Sequence, residues 1–159
     1  MPKKQKISLS RLESFLKAQC DRLRTSMDAA EYKNYIIALL FLKRINDQFE
    51  IDRIALKELL RKQYPDADDN DIANELDIPE KYNCYVPGKA RWEFVLNPTD
   101  DEGAIISYAD AITTALAEVE KSNSALLSGV LSKTKFNELN TKGERILDAE
   151  TLRALLNDF

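Results

Sequence analysis

The chain contains no histidine among its 159 residues. That absence excludes Ser-His-Asp and Cys-His nucleophile systems, imidazole acid–base catalysis and histidine-ligated zinc. Cysteine is scarce: Cys20 and Cys84 stand 64 positions apart with no CxxC pair, which excludes a thiolate metal cage and a dithiol redox motif. Two isolated cysteines read as reduced thiols of a cytosolic protein. The four glycines, at 88, 103, 129 and 143, are never closer than 14 residues. Neither GxGxxG nor a GxxxxGK[ST] phosphate loop can be drawn from them. No two prolines adjoin. The longest apolar run, Tyr35 to Leu42, has eight residues, whereas a bilayer-spanning helix needs roughly 20. The opening MPKKQKISLSR lacks the apolar segment of a secretion signal. A soluble, cytoplasmic protein with no membrane partner is expected.

What is present suits a helix-rich globule. Apolar residues make up 44% and charged residues 31%, against only nine Gly and Pro together. The length fits one domain. The net charge of −4 hides an asymmetry: residues 1–62 carry 14 Lys/Arg and 8 Asp/Glu, whereas residues 63–159 carry 9 and 19. A basic half joined to an acidic half predicts one surface that meets an anionic partner, although long surface helices are also Lys/Arg-rich for solubility alone.

Apolar spacing outlines the elements. Ser8 or Ser10 opens a first helix, with Glu13 at capping-box distance from Ser10, and its apolar stripe runs to about Arg24. Asp28, with Glu31 three residues on, starts a long helix to about Gln63. Its first half, through Phe41 and Leu42, is apolar nearly all round and reads as a buried central helix; its second half is one-sided and reads as surface. Tyr64-Pro65 ends it. An acidic stretch follows, read as a short helix between turns. Tyr82 to Val95 is aromatic-rich and aperiodic around Pro87-Gly88; it predicts an ordered loop with a short strand on one side, Trp92 anchoring it to the core. Another helix of roughly 20 residues is expected from Asp101, and a final one from Ala149 to Asn157. No internal repeat is visible. The expected fold class is all-α, about five helices around a long central buried helix, with one aromatic-rich loop. The carboxylate pairs Asp68-Asp69 and Asp100-Asp101 fall in polar loops and read as turn formers, not acid–base or metal sites.

Residues 22–50 carry a resemblance. Leu23-Arg24, Met27-Asp28, Glu31-Tyr32-Lys33, Leu39 to Lys43 and Asp47 follow the opening pattern of the N-terminal helical domain of the M (modification methyltransferase) subunit of type I restriction-modification systems. Val86-Pro87 with Ala90-Arg91-Trp92 resembles that family's Val-Pro…Ala-Arg-Trp loop, and Ile105 to Glu118 resembles the helix before its methyltransferase domain. One departure is Asn46, where many relatives carry Ser; it is expected to be a modest surface change.

The resemblance implies that residues 1–159 are a single helical N-terminal domain, ending near Phe159 about where the family's catalytic domain begins. The full-length relatives are site-specific adenine-N6 DNA methyltransferases that use S-adenosylmethionine and an Asn-Pro-Pro-Tyr/Phe motif; this chain has neither the glycine pattern nor a Pro-Pro, so no catalytic residue and no cofactor is assigned to it. The implied role is to help close the enzyme around double-stranded DNA and to assemble with the specificity subunit and a second M subunit. The basic half supplies the candidate phosphate contacts: Lys3, Lys4 and Lys6 on an N-terminal arm, Arg22 and Arg24 at the end of the first helix, Lys33, Lys43 and Arg44 on the second, and Arg91 in the aromatic loop. A helical protein–protein adaptor with no nucleic-acid role is the other reading.

Overall fold

The computed structural model describes residues 7–25 and 27–159. It is all-α, 64% helical. Helix α1, Leu9–Leu23, is opened by Ser8, whose hydroxyl accepts from the Arg11 amide at 3.4 Å. Of the two candidate caps it is Ser8, not Ser10, that does the capping. Helix α2, Ala29–Gln63, starts where the Asp28 carboxylate accepts from the Ala30 and Glu31 amides at 2.9 and 3.1 Å. It has 35 residues, so it is roughly 50 Å long, and stops at Tyr64 ahead of Pro65. Short α3, Asp69–Leu76, is capped by Asp68 and folds back on the end of α2 over a small second core of Leu60, Ile72 and Leu76.

The aromatic segment holds helical turns, not a strand: a 3-10 turn at Gly88–Ala90 and α4 at Trp92–Leu96. Two asparagines pin it. Asn46 donates to the Ala90 carbonyl at 3.1 Å and accepts from the Trp92 amide at 2.7 Å; Asn123 exchanges hydrogen bonds with the Tyr85 amide and carbonyl at 2.9 and 2.8 Å. Asn46 is buried, so the departure from Ser is no surface change. Val86, Ala90 and Val95 enter the main core, and Trp92 is half-buried against it.

Helix α5, Tyr108–Ser122, begins seven residues later than the Asp101 start expected, because Ser107 is its cap and the preceding residues fold as a turn. α6, Ser124–Leu127, and α7, Ala149–Asp158, complete the chain. Seven α-helices are therefore described instead of about five; the additional ones, α4 and α6, are too short to show periodicity. The turn before α5 has a counterpart before α7, a local repeat the sequence conceals. In each, an Asp or Asn side chain (Asp100, Asn140) accepts from amides two and four residues on. A glycine at φ +86° or +79° (Gly103, Gly143) follows, and one antiparallel bridge closes the turn, Thr99 to Ile105 or Leu139 to Arg145. Side chains at those φ values are strained, which fixes Gly at both positions.

The main core joins Leu39, Leu42 and Phe49 of α2 to Ile112, Leu116 and Val119 of α5 and Leu152, Leu155 and Leu156 of α7. The first half of α2 is not buried all round. Ile37 and Phe41 are 61% and 38% exposed, because at about 100° per residue they lie on the flank away from Leu39 and Leu42. Nor is the second half purely surface, since Phe49 and Leu60 are buried.

The loop after α6 is held by one carboxylate. Glu120 accepts from the amides of Gly129, Leu131 and Ser132 and from the Ser132 hydroxyl, all within 2.7–2.9 Å. These bonds, led by the Ser132 and Gly129 amides, lower its pKa to about 2. A carboxylate depressed in the folded state supports the loop above its ordinary range and loses that support as pH falls toward 2. A carboxyl-carbon NMR titration is expected to place the Glu120 midpoint near 2; a midpoint near the ordinary 4.5 would show a detached loop.

Candidate nucleic-acid interface

The nine cations singled out from the sequence do not form one patch. Lys3, Lys4 and Lys6 lie outside the described residues. Arg22 pairs with Asp158 of α7 at 3.0 Å. Arg24 pairs with Asp21 at 3.2 Å, and its pKa is raised chiefly by a hydrogen bond with Tyr32. Lys43 pairs with Asp47 and sits 5.6 Å from the Trp92 ring centroid, a cation–π contact. Arg91 reaches Asp77 at 2.9 Å and lies 5.5 Å over the Phe49 ring.

Asp77 is shared. Arg53 also reaches it, at 2.7 Å, while donating to the Leu76 carbonyl. The Arg53 hydrogen bond first, and the Arg91 hydrogen bond after it, hold the Asp77 carboxyl below its ordinary value. Arg91 thus ties the aromatic loop to the end of α3, and a phosphate contact at this position would have to compete with that ion pair.

Lys33 and Arg44 are differently placed. Both are exposed on α2, and neither meets a carboxylate among the described residues; Arg44 touches Gln48 at 3.3 Å. With Ile37 and Phe41 they make a ridge, Lys33–Ile37–Phe41–Arg44, at three- and four-residue spacing. The structure adds two cations that the sequence reading missed. Lys133 and Lys135 share a cleft with Asn34 at the start of α2. They lie in the acidic half of the chain, so a count by halves hides them; the local string Lys133-Thr134-Lys135 was the available signal.

The paired carboxylates do the work of turns. Asp68 caps α3 and Asp100 its hairpin, while Asp69 pairs with Arg61 and Asp101 with Lys89. Among the described residues no group of three or more His, Cys, Asp or Glu is placed to hold a metal ion. Cys20 and Cys84 are unpaired, and burial pushes the Cys84 thiol up. The four glycines sit in four separate turns, each with open space where a Cβ would stand, so the described residues form no dinucleotide-type cradle of glycines clustered between a strand and a helix. No helix among the described residues is long and apolar enough to cross a membrane.

Fold and surface together define an all-α domain whose charged groups lie on open faces. The family described as HsdM N-terminal domain matches residues 12–159, and the chain belongs to it, as a part of the modification subunit of type I restriction-modification systems. No curated protein matches the chain.

Proposed function

We propose that this domain works without catalytic chemistry of its own, holding double-stranded DNA by its phosphates in the cytoplasm and assembling with the specificity subunit and a second M subunit. Cofactor and base chemistry then belong to the S-adenosylmethionine-binding part of a full-length methyltransferase specific for adenine. The observation that supports the reading is the pair of cations on α2, Lys33 and Arg44, exposed and free of carboxylates among the described residues. A cation not already neutralised releases condensed counterions when it meets a phosphate, which supplies affinity without reading sequence. Lys43, beside Arg44, can add to the same field even while paired with Asp47.

The test is duplex binding followed by fluorescence anisotropy across a salt series. Unrelated duplexes are expected to bind with equal affinity, and log affinity to fall linearly with log salt at about 0.9 per phosphate contact. Binding absent at low salt would remove the DNA role.

The adaptor reading has its own support. Ile37 and Phe41 stand between the two cations, and exposed apolar side chains suit a protein partner better than a phosphate backbone.

A further inference from the structure

We propose that the cleft between the start of α2 and the 133–138 loop binds the guanidinium of an arginine side chain presented by a partner protein. This site goes beyond the DNA reading, which requires cations; the base of this cleft offers acceptors.

The cleft is lined by Glu31, Asn34 and Tyr35 on one wall and by Lys133, Lys135 and Glu138 on the other, with Ile146 at one side. Tyr35 is only 7% exposed. Its ring is fixed edge-on against Phe136 at 4.9 Å, the residue lines the cleft, and its hydroxyl has no hydrogen-bond partner among the described residues. Although the ring is buried, the hydroxyl oxygen is not sealed off, so a partner group can reach it. Among the described residues the Glu31 and Glu138 carboxylates form no ion pair, although two lysines share the cleft. Burial first, then the charges of Glu138 and Glu31, push the Tyr35 hydroxyl up.

These groups suit a guanidinium. It presents five donors in a planar fork and no acceptor; Glu31, Glu138, Tyr35 and Asn34, all lining the cleft, carry acceptor oxygens, and Ile146 offers apolar surface to the stem. The volume, about 160 Å³, is smaller than the ~300–1,000 Å³ of pockets for drug-sized ligands and suits one side chain. Both walls are fixed in advance, one by α2 and the other by Phe136, which is buried and donates its amide to the Thr113 hydroxyl at 3.0 Å; little ordering is then lost on binding.

Amide shifts of the whole chain should be followed during titration with N-acetyl-arginine-N-methylamide, with free arginine, with N-acetyl-lysine-N-methylamide and with inorganic phosphate. The blocked arginine is expected to shift Glu31, Asn34, Tyr35 and Glu138 saturably, with a Kd on the order of 1 mM, and the blocked lysine to bind more weakly. The E31Q/E138Q double variant, altered only at exposed side chains, should keep the wild-type spectrum and lose about tenfold in affinity. Absent or non-saturating shifts, or unchanged affinity in the double variant, would overturn the site. Tighter binding of free than of blocked arginine would overturn the protein source, and phosphate shifting the same residues would hand the cleft to an anion such as a nucleic-acid backbone. None of these outcomes depends on whether duplex DNA binds elsewhere.

Discussion

Leu42→Ala is expected to destabilise the domain by about 2–5 kcal/mol, the cost of a cavity in a core that cannot fully collapse. Leu42 has no exposed surface and belongs to the cluster that α2, α5, α7 and the aromatic loop share, so no surface element can move in to fill the space. At this chain length each kcal/mol lowers Tm by roughly 2–4 °C, and the loss should be plain in a melting curve. Phe41→Ala is the control. One residue earlier and partly exposed on the flank away from the core, it should cost about 1 kcal/mol or less, in the range of surface changes. Equal losses for the two variants would mean that α2 is buried all round, as its composition alone suggests.

The second large effect is expected at Asn46. Its amide donates to the Leu42 carbonyl at 3.0 Å and the Ala90 carbonyl at 3.1 Å, and its oxygen accepts from the Trp92 amide at 2.7 Å. Asn46→Ala would orphan the Trp92 amide and the Ala90 carbonyl, at about 1–3 kcal/mol for each buried group left unmet. We expect a loss of about 3 kcal/mol, a large part of the ~5–15 kcal/mol that holds a typical domain together. Because the chain has a single tryptophan and it is the one whose backbone Asn46 holds, Trp92 emission should shift toward that of solvated indole before global unfolding. Emission and Tm both at wild-type values would show that the asparagine does not pin the loop.

These two residues mark what the sequence made legible. Leu42 was readable because α2 is long and its caps and stop, Asp28 and Pro65, are strong local signals. The depth of its burial on one side only was not, since an apolar run such as Tyr35 to Leu42 looks the same whether one flank or both are covered. Asn46 was unreadable: its partners lie 44 and 46 residues away, and a polar residue on a helix is ordinarily solvated. The aromatic loop was rightly read as ordered, but its strand was an inference from aromatic content that two short helical turns replace. The late start of α5 follows from Gly103 and Ser107, local signals that an apolar periodicity starting earlier overrode. The family pattern was legible from residues 22–50, and the match across residues 12–159 agrees with it. For the surface, sequence charge named nine cations; only the fold separates Arg91, held by Asp77, from Lys33 and Arg44, which meet no carboxylate among the described residues. The Tyr35 cleft needed the fold altogether, because its walls are about 100 residues apart.

The most direct measurement of the DNA role compares two double variants of the whole chain in the same salt series. K33E/R44E should weaken binding to every duplex alike and lower the slope of log affinity against log salt by about 1.8, two contacts at about 0.9 each. I37S/F41S, which leaves both charges in place, should bind duplex with wild-type affinity and slope. If K33E/R44E keeps the wild-type affinity and slope, the ridge does not hold DNA, and the face belongs to a protein partner.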